Sequence, residues 1–330
     1  MHDLKSGRRQ ALAWSTAGLL GLAAPALRAQ STRGQARLLV GFPPGGTADA
    51  LARALQQRLP CEDDTLIVDN RPGAGGRLAV AELKQGPADG RTLMVSADPI
   101  LTIYPHVFRR IAYDTASDVL PVAAIASESL CLAVGPMVPD SVRNLAAFVA
   151  WCRSHPKDAA YTTAAAGTTM HFVGDQFARS AKVDLLHVPH RGGAAAVQDV
   201  MGGQIASTVT PLSLAIPHLA SGRLRAIAVA GERRSRRLPE VPTFAEQGHA
   251  QIRADVYYGA YLRAGTPAPI VARWHQAITQ VTESAPMRST LEQLSLEPLA
   301  TSQPAFAALV MADLQRWGPI VKASGYTADE

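Results

Sequence analysis

Residues 41–53 read GFPPGGTADALAR. An apolar run, ARLLVGF (36–42), leads into the stretch, and a helix-like run, TADALARALQQRL (47–59), leads out of it. Pro43 and Pro44 lack the amide donor that a strand ladder needs, so the strand ends there. Gly45 and Gly46 allow backbone angles and close approaches closed to other residues. Thr47 suits a helix N-cap, and Asp49 falls in the first turn. A small-residue turn between a strand and a helix presents free N–H groups at the positive end of the helix, a place for a carboxylate or phosphate oxygen.

The same alternation continues outward. TLIVDN (65–70) reads as a strand, RPGAGG (71–76) as a loop, RLAVAELKQ (77–85) as a helix and RTLMVSA (91–97) as a third strand. PVAAIASESLCLAV (121–134) reads as two short apolar runs. A second block opens near residue 135. There Leu145, Phe148, Val149 and Cys152 share one helical face. AAYTTA (159–164) is strand-like, and AAGTTMHFVGDQFARSA (165–181) repeats the design of a small-residue turn followed by a helix. DLLHVPH, GGAAAVQDVMGGQI, ASTVTPL and RLRAIAVAG continue the βα pattern, and two helices rich in apolar residues, 267–284 and 303–325, close the chain. Strands separated by helix-length segments predict an α/β protein with a parallel sheet.

A chain of 330 residues has room for about two domains. With 47% hydrophobic and 18% charged residues it has the composition of a soluble globular protein. The first 29 residues stand apart: a basic head, the apolar run ALAWSTAGLLGLAAPA, and Ala29 as a small residue for cleavage. This is the layout of an export signal, and the apolar run is too short and too rich in small residues for a good membrane span. Arg8-Arg9 resembles a weak twin-arginine signal, so either export route leads out of the cytoplasm. The leader holds four basic residues and Asp3, a net +3 of the chain's +5, which leaves +2 for the remainder. That balance is no argument for a nucleic-acid or membrane partner. The run ERRSRRLPE (232–240) reads as a solvated loop. Cys61, Cys131 and Cys152 lack metal-ligand spacing, and the sequence leaves one disulfide open without choosing its pair.

Nucleotide and catalytic motifs fail on particular residues. Gly41 to Gly46 has P-loop spacing, but Thr47-Ala48 stands where Lys and Ser/Thr are required. Gly73-x-Gly75 is followed by Leu78 at the third glycine of a dinucleotide fingerprint. The formal S-x-x-K at Ser154–Lys157 contains His-Pro and reads as a helix end. His171, one turn into its helix, has no nucleophile in evidence beside it. Gly167, Thr168 and Thr169 repeat the features of the first turn. Two readings stay open: the two turns face one another across a crevice with an anion between them, or each caps its own helix.

The chain resembles the Bug family, extracytoplasmic substrate-binding proteins of tripartite tricarboxylate transporters. The likeness is carried in order by GFPPGGTADALAR, VDNRPGAGG, PADGRTLMV, AAGTTMHFVGDQF, HVPHRGGAAAVQDVMGGQI, SGRLRAIAVAGERRSRRLPEVPTFAEQG and RAGTPAPIV. The resemblance implies a two-lobed periplasmic-binding-protein fold of type II, hinged by two crossover segments. One lobe would hold residues 31–132 and 255–330, the other residues 133–254. It also implies a small organic carboxylate as ligand, gripped between the lobes for delivery to membrane transporter subunits. The first turn would supply Phe42, Gly45, Gly46, Thr47 and Asp49. The second would supply Thr163, Ala166, Gly167, Thr168 and His171, with Asp199 an acidic position near the cleft. Asp49 has a second reading, as the cap of its own helix.

No cofactor, metal or nucleic acid belongs to this reading, and the protein would act as a periplasmic monomer that is not an enzyme. A carboxylate-processing enzyme on the same scaffold and a receptor feeding a signalling system remain as alternatives. The chain departs from the family at Ala165 for Gly, Thr163 for Ser, His190 for Tyr, Arg191 for Lys, and Tyr257-Tyr258 for a Trp-containing pair. Those departures imply a stiffer second turn and a differently shaped pocket. For His190 and Arg191, pairing with a distal carboxylate and exposure in a loop both stay open.

Overall fold

The computed structural model describes residues 34–60, 64–190 and 192–328. The leader, Cys61 and Arg191 lie outside the described residues.

Elements run in the order β1 (Gly34–Val40), α1 (Thr47–Gln56), β2 (Asp64–Asn70), α2 (Arg77–Gln85), β3 (Thr92–Ala97), α3 (Pro99–Thr102), α4 (Tyr104–Val107), α5 (Thr115–Asp118) and β4 (Val119–Val134). There follow α6 (Leu145–Ser154), β5 (Ala160–Thr163), α7 (Thr169–Ala181), β6 (Leu186–Pro189), α8 (Gly193–Met201), β7 (Ser207–Pro211), α9 (Leu212–Leu219) and β8 (Arg225–Val229). The chain closes with β9 (Asp255–Arg263), α10 (Ala268–Glu283), α11 (Ala285–Gln293), β10 (Glu297–Pro298) and α12 (Gln303–Ser324).

The strands form one curled sheet in two halves. In the first half β2, β1 and β3 are parallel, β9 pairs antiparallel with β3, and β4 pairs antiparallel with β9. In the second half β6, β5 and β7 are parallel, and β4 runs antiparallel between β7 and β8. The residues 121–134, read above as two short runs, therefore belong to one 16-residue strand. Its Val119–Ser129 part pairs with β9, and its Leu130–Val134 part with β7 and β8. The expected parallel sheet is a mixed one, because β4 and β9 oppose their neighbours.

The chain returns where the Ala230 N–H donates to Leu130 O and the Ala254 N–H to Ala230 O, both at 2.8 Å, just before β9 starts. Two crossings thus join two lobes of like plan, the type II α/β fold. Helices cover both faces of β4, and the strand is apolar nearly throughout for that reason. Leu38, Leu51 and Leu55 fill one part of the core, and Phe148, Phe172 and Phe177 another.

Among the described residues no helix is long and apolar enough to cross a membrane, and no cluster of three or more His, Cys, Asp or Glu could hold a metal. Cys131 and Cys152 are buried and unpaired, and burial pushes both thiols up to about 12. Helix α6 ends at Ser154, as its His-Pro sequel predicts. In the arginine-rich loop, Arg234 grips both oxygens of Glu246 at 3.0 Å.

Candidate functional site

The first turn is built by residues that hold it rather than fill it. Gly45 has φ +93°, a conformation that suits glycine. Asp49, 2% exposed, reaches back from α1. Its Oδ2 accepts the Gly45 N–H at 2.9 Å and the Arg53 Nε–H at 2.9 Å. Its Oδ1 accepts the Asn70 side-chain amide at 3.0 Å. Asn70 also donates to Phe42 O at 3.1 Å, which ties the turn to the end of β2. Burial pushes the Asp49 pKa up, but the bonds from Arg53, Gly45 and Asn70 outweigh it and hold the carboxyl below its ordinary value. With these contacts Asp49 serves as a brace for the turn.

No side chain caps α1, whose N-cap is Gly46, so its positive end is open to an incoming oxygen. Thr47, expected as the N-cap, is instead the first helical residue at that end, because Gly46 takes the cap position, and Tyr258 of β9 stands near its hydroxyl. Phe42 turns its ring onto Gly76: a methyl there would meet it at 3.4 Å.

The second turn differs. Thr163 Oγ1 donates to Ala165 O at 2.9 Å, so in its contact with His187 Nε2 at 2.8 Å it accepts the imidazole N–H. Thr168 Oγ1 also donates to Ala165 O, at 3.0 Å, and accepts the His171 N–H at 3.4 Å. Both hydroxyl protons are thus committed inside the turn. Gly167, at φ +72°, donates its N–H to His171 Nδ1 at 3.1 Å. His171 is therefore the acceptor that fixes the turn, and its Nδ1 carries no proton.

The His171 ring stacks on His187, with centroids 4.0 Å apart and planes 13° apart. Burial lowers the pKa of both, that of His187 to about 3 with the neighbouring His171 adding to it. Ala166 is half-buried on the turn, between these anchors.

Asp199 is on the other side of the second sheet. Its Oδ2 lies 2.6 Å from His190 Nε2, and His190 Nδ1 lies 2.6 Å from Thr162 Oγ1. Thr162 points opposite to Tyr161 and Thr163, because side chains alternate along a strand. The structure therefore does not bring Asp199 onto the face that carries His171. His190 is committed to Thr162 and Asp199, which corrects its reading as an exposed loop residue.

The two lobes meet at residues that the sequence reading missed. The Ala328 N–H donates to Val107 O at 2.9 Å, and this anchors the C-terminal segment beside α4. Tyr326 then lies edge-on to His171 with centroids 4.9 Å apart. A methyl at Gly167 would lie 3.1 Å from the Tyr326 ring and 3.3 Å from Val107. Tyr104 of α4 stands beside the loop after β2, where a methyl at Gly75 would meet its ring at 3.3 Å. The second turn, Tyr326, α4, the 73–76 loop and Phe42 thus form a continuous series of neighbours around one rim.

At the base of β4, Glu128 is buried and accepts the hydroxyl and the backbone N–H of Ser213, at the start of α9. Burial pushes its pKa up. Glu128 is the one charged residue in the 16-residue β4, and that lone acid in an apolar run was its only sequence signal.

The family profile described as "Tripartite tricarboxylate transporter family receptor" (TctC) matches residues 48–326. The chain is 27% identical over 307 residues to protein BugT of Bordetella pertussis (strain Tohama I), covering 92% of this chain and 94% of that one. A solved R. palustris protein with adipate aligns at TM-score 0.75 and 29% identity, covering 89% of this chain and 98% of its own. MatC from Rhodopseudomonas palustris with bound malate aligns at TM-score 0.73 and 26% identity, covering 87% and 98%.

Proposed function

The chain belongs to the TctC family of tripartite tricarboxylate transporter receptors, and we propose that it binds a small organic carboxylate between its lobes without altering it. One carboxylate group sits at the open start of α1, among Gly45, Gly46 and Thr47, with Phe42 beside it. The second turn, with Ala166, Gly167 and Thr168, closes over it. Asp49, Thr163 and His171 hold the two turns in shape. The lobes divide as residues 31–132 with 255–330 and residues 133–254. The protein works in the periplasm after its leader is removed near Ala29, as a monomer, and hands its ligand to membrane subunits of a tripartite tricarboxylate-type transporter.

The observation that carries this reading is the uncapped, positive start of α1 at a turn locked by Asp49. The relatives solved with adipate and malate support a carboxylate as its occupant. Closure follows from the two-lobed plan: only a closed arrangement brings both turns to one ligand, so the ligand favours it.

Thr47→Val tests the first turn. It removes the hydroxyl at the helix start and leaves the helix otherwise intact. Carboxylate affinity, measured by calorimetry with adipate and malate, is expected to fall about three- to tenfold, the range of one hydrogen bond. The melting temperature should change little. Unchanged affinity for a carboxylate that does bind would take this turn out of the site.

A further inference from the structure

The loop 71–76 delivers one cation to the rim. Gly73, Ala74, Gly75 and Gly76 all have positive φ, and α2 begins directly after them at Arg77. The Arg77 guanidinium lies over the Phe108 ring, its Cζ 3.5 Å from the centroid. Its Nη1 is buried and has no hydrogen-bond partner, and no carboxylate pairs with it among the described residues. The start of the helix it opens also favours a negative charge. The start of α2 has no side-chain cap, so its N–H groups and the helix dipole face the same region. The loop itself touches both walls of the rim: Gly76 lies on Phe42 of the first turn, and Gly75 on Tyr104. Tyr104 and Tyr326 are close enough to affect one another electrostatically, and Tyr326 touches the second turn. A stacked guanidinium keeps its planar fork in one orientation, suited to two parallel hydrogen bonds with a carboxylate.

We propose that Arg77 receives the second anionic group of the ligand, so that the receptor selects a dicarboxylate with one carboxylate at the Gly45–Thr47 turn and the other on the Arg77 guanidinium. This rests on the carboxylate-receptor reading above. It adds the residue that distinguishes a dianion from a monoanion. Phe108 is a positioning residue, since it fixes the plane of the guanidinium without meeting the ligand.

The test uses the full protein with straight-chain dicarboxylates from malonate to suberate, malate, and the monomethyl ester of the tightest binder. Calorimetry on the wild type should show the ester binding at least tenfold more weakly than its diacid. In Arg77→Gln the diacid should weaken at least tenfold, to the level of the ester, while the ester binds as before. Arg77→Lys should recover part of the loss, because it restores charge without the fork.

Unchanged diacid affinity in Arg77→Gln, with Thr47→Val weakened, would overturn this inference and leave the receptor reading standing. Equal losses for diacid and ester would also overturn it, by making Arg77 a support for the whole site. If Arg77→Gln does not fold, the wild-type comparison decides: a diacid-to-ester ratio under threefold refutes the assignment. If no dicarboxylate binds the wild type but a monocarboxylate does, this inference falls and the receptor reading stands; if no carboxylate of either kind binds, both fall.

Discussion

Gly167→Leu is expected to weaken carboxylate binding about a hundredfold. Two effects follow, and only the second acts on binding. A non-glycine residue at φ +72° costs about 1–2 kcal/mol of stability, with ligand or without. The new side chain also overfills a tight place, since its Cβ alone would lie 3.1 Å from Tyr326 and 3.3 Å from Val107. Overpacking of this kind costs about 1–3 kcal/mol. At about 1.4 kcal/mol per decade, the upper end of that range corresponds to about two decades of affinity. The second term acts only where the turn meets Tyr326, so it pushes the lobes apart rather than unfolding either of them. Gly167→Ala adds less bulk and should lose less affinity. Small-angle scattering on the Leu variant should show no compaction on adding carboxylate; normal compaction would mean that Gly167 is not at the closing surface.

Acid should loosen the same turn. His171 accepts the Gly167 N–H, and a proton on Nδ1 would set two donors against each other. His187, stacked on it, is neutral as well. Tyr161 stacks on His187 and donates its hydroxyl to His171 O, and Tyr326 closes the other side. Asp175 is the one nearby charge that favours protonation of His171, and burial outweighs it.

Both histidines have folded pKa values below the unfolded value of 6.5, so their contribution is complete above pH 6.5. It is lost as pH falls toward the folded values, about 3 for His187. For His187 the stability lost by pH 4 comes to about 2 kcal/mol once solvent screening of this half-buried ring is counted. Asp98, Glu128 and Asp255 act in the opposite sense. Burial raises their pKa values, so they favour the fold at low pH and lose that contribution as pH rises. The difference between wild type and His187→Gln isolates the histidine term, because the glutamine amide can still donate to Thr163. The wild type should lose several degrees of melting temperature relative to His187→Gln between pH 7 and pH 4. Parallel curves would contradict this account.

The first turn was legible in the sequence because its chemistry is local. Two prolines, two glycines and a threonine fix strand end, turn and helix start within a few residues, and Asp49 closes the turn on itself. Helix α6 was legible from its periodicity, and α2, α7 and α12 as helix-length runs between turns. Pairing was not. β9 lies between β3 and β4, far from both in sequence, and nothing local in DVYYGAYLR announces its partners. The length of β4 was hidden for the same reason, since its two parts serve different halves of the sheet.

Hydroxyls at a turn are ambiguous because they can bond their own backbone instead of a ligand. Thr163 and Thr168 take that alternative, while Thr47 stands at an uncapped helix. Tyr326, His187 and Arg77 reach the rim from distant parts of the chain. Only Arg77 gave a local hint, as a charged residue directly after a glycine-rich loop.

The most direct test of the central claim is a thermal-shift measurement on the purified protein with small carboxylates, amino acids, phosphates and nucleotides. A ligand at a hundred times its dissociation constant adds about 2.7 kcal/mol, which shifts the melting curve visibly. The account predicts stabilisation by carboxylates alone, with the compound recovered unchanged. Stabilisation by nucleotides, consumption of the carboxylate, or no response to any carboxylate would contradict it.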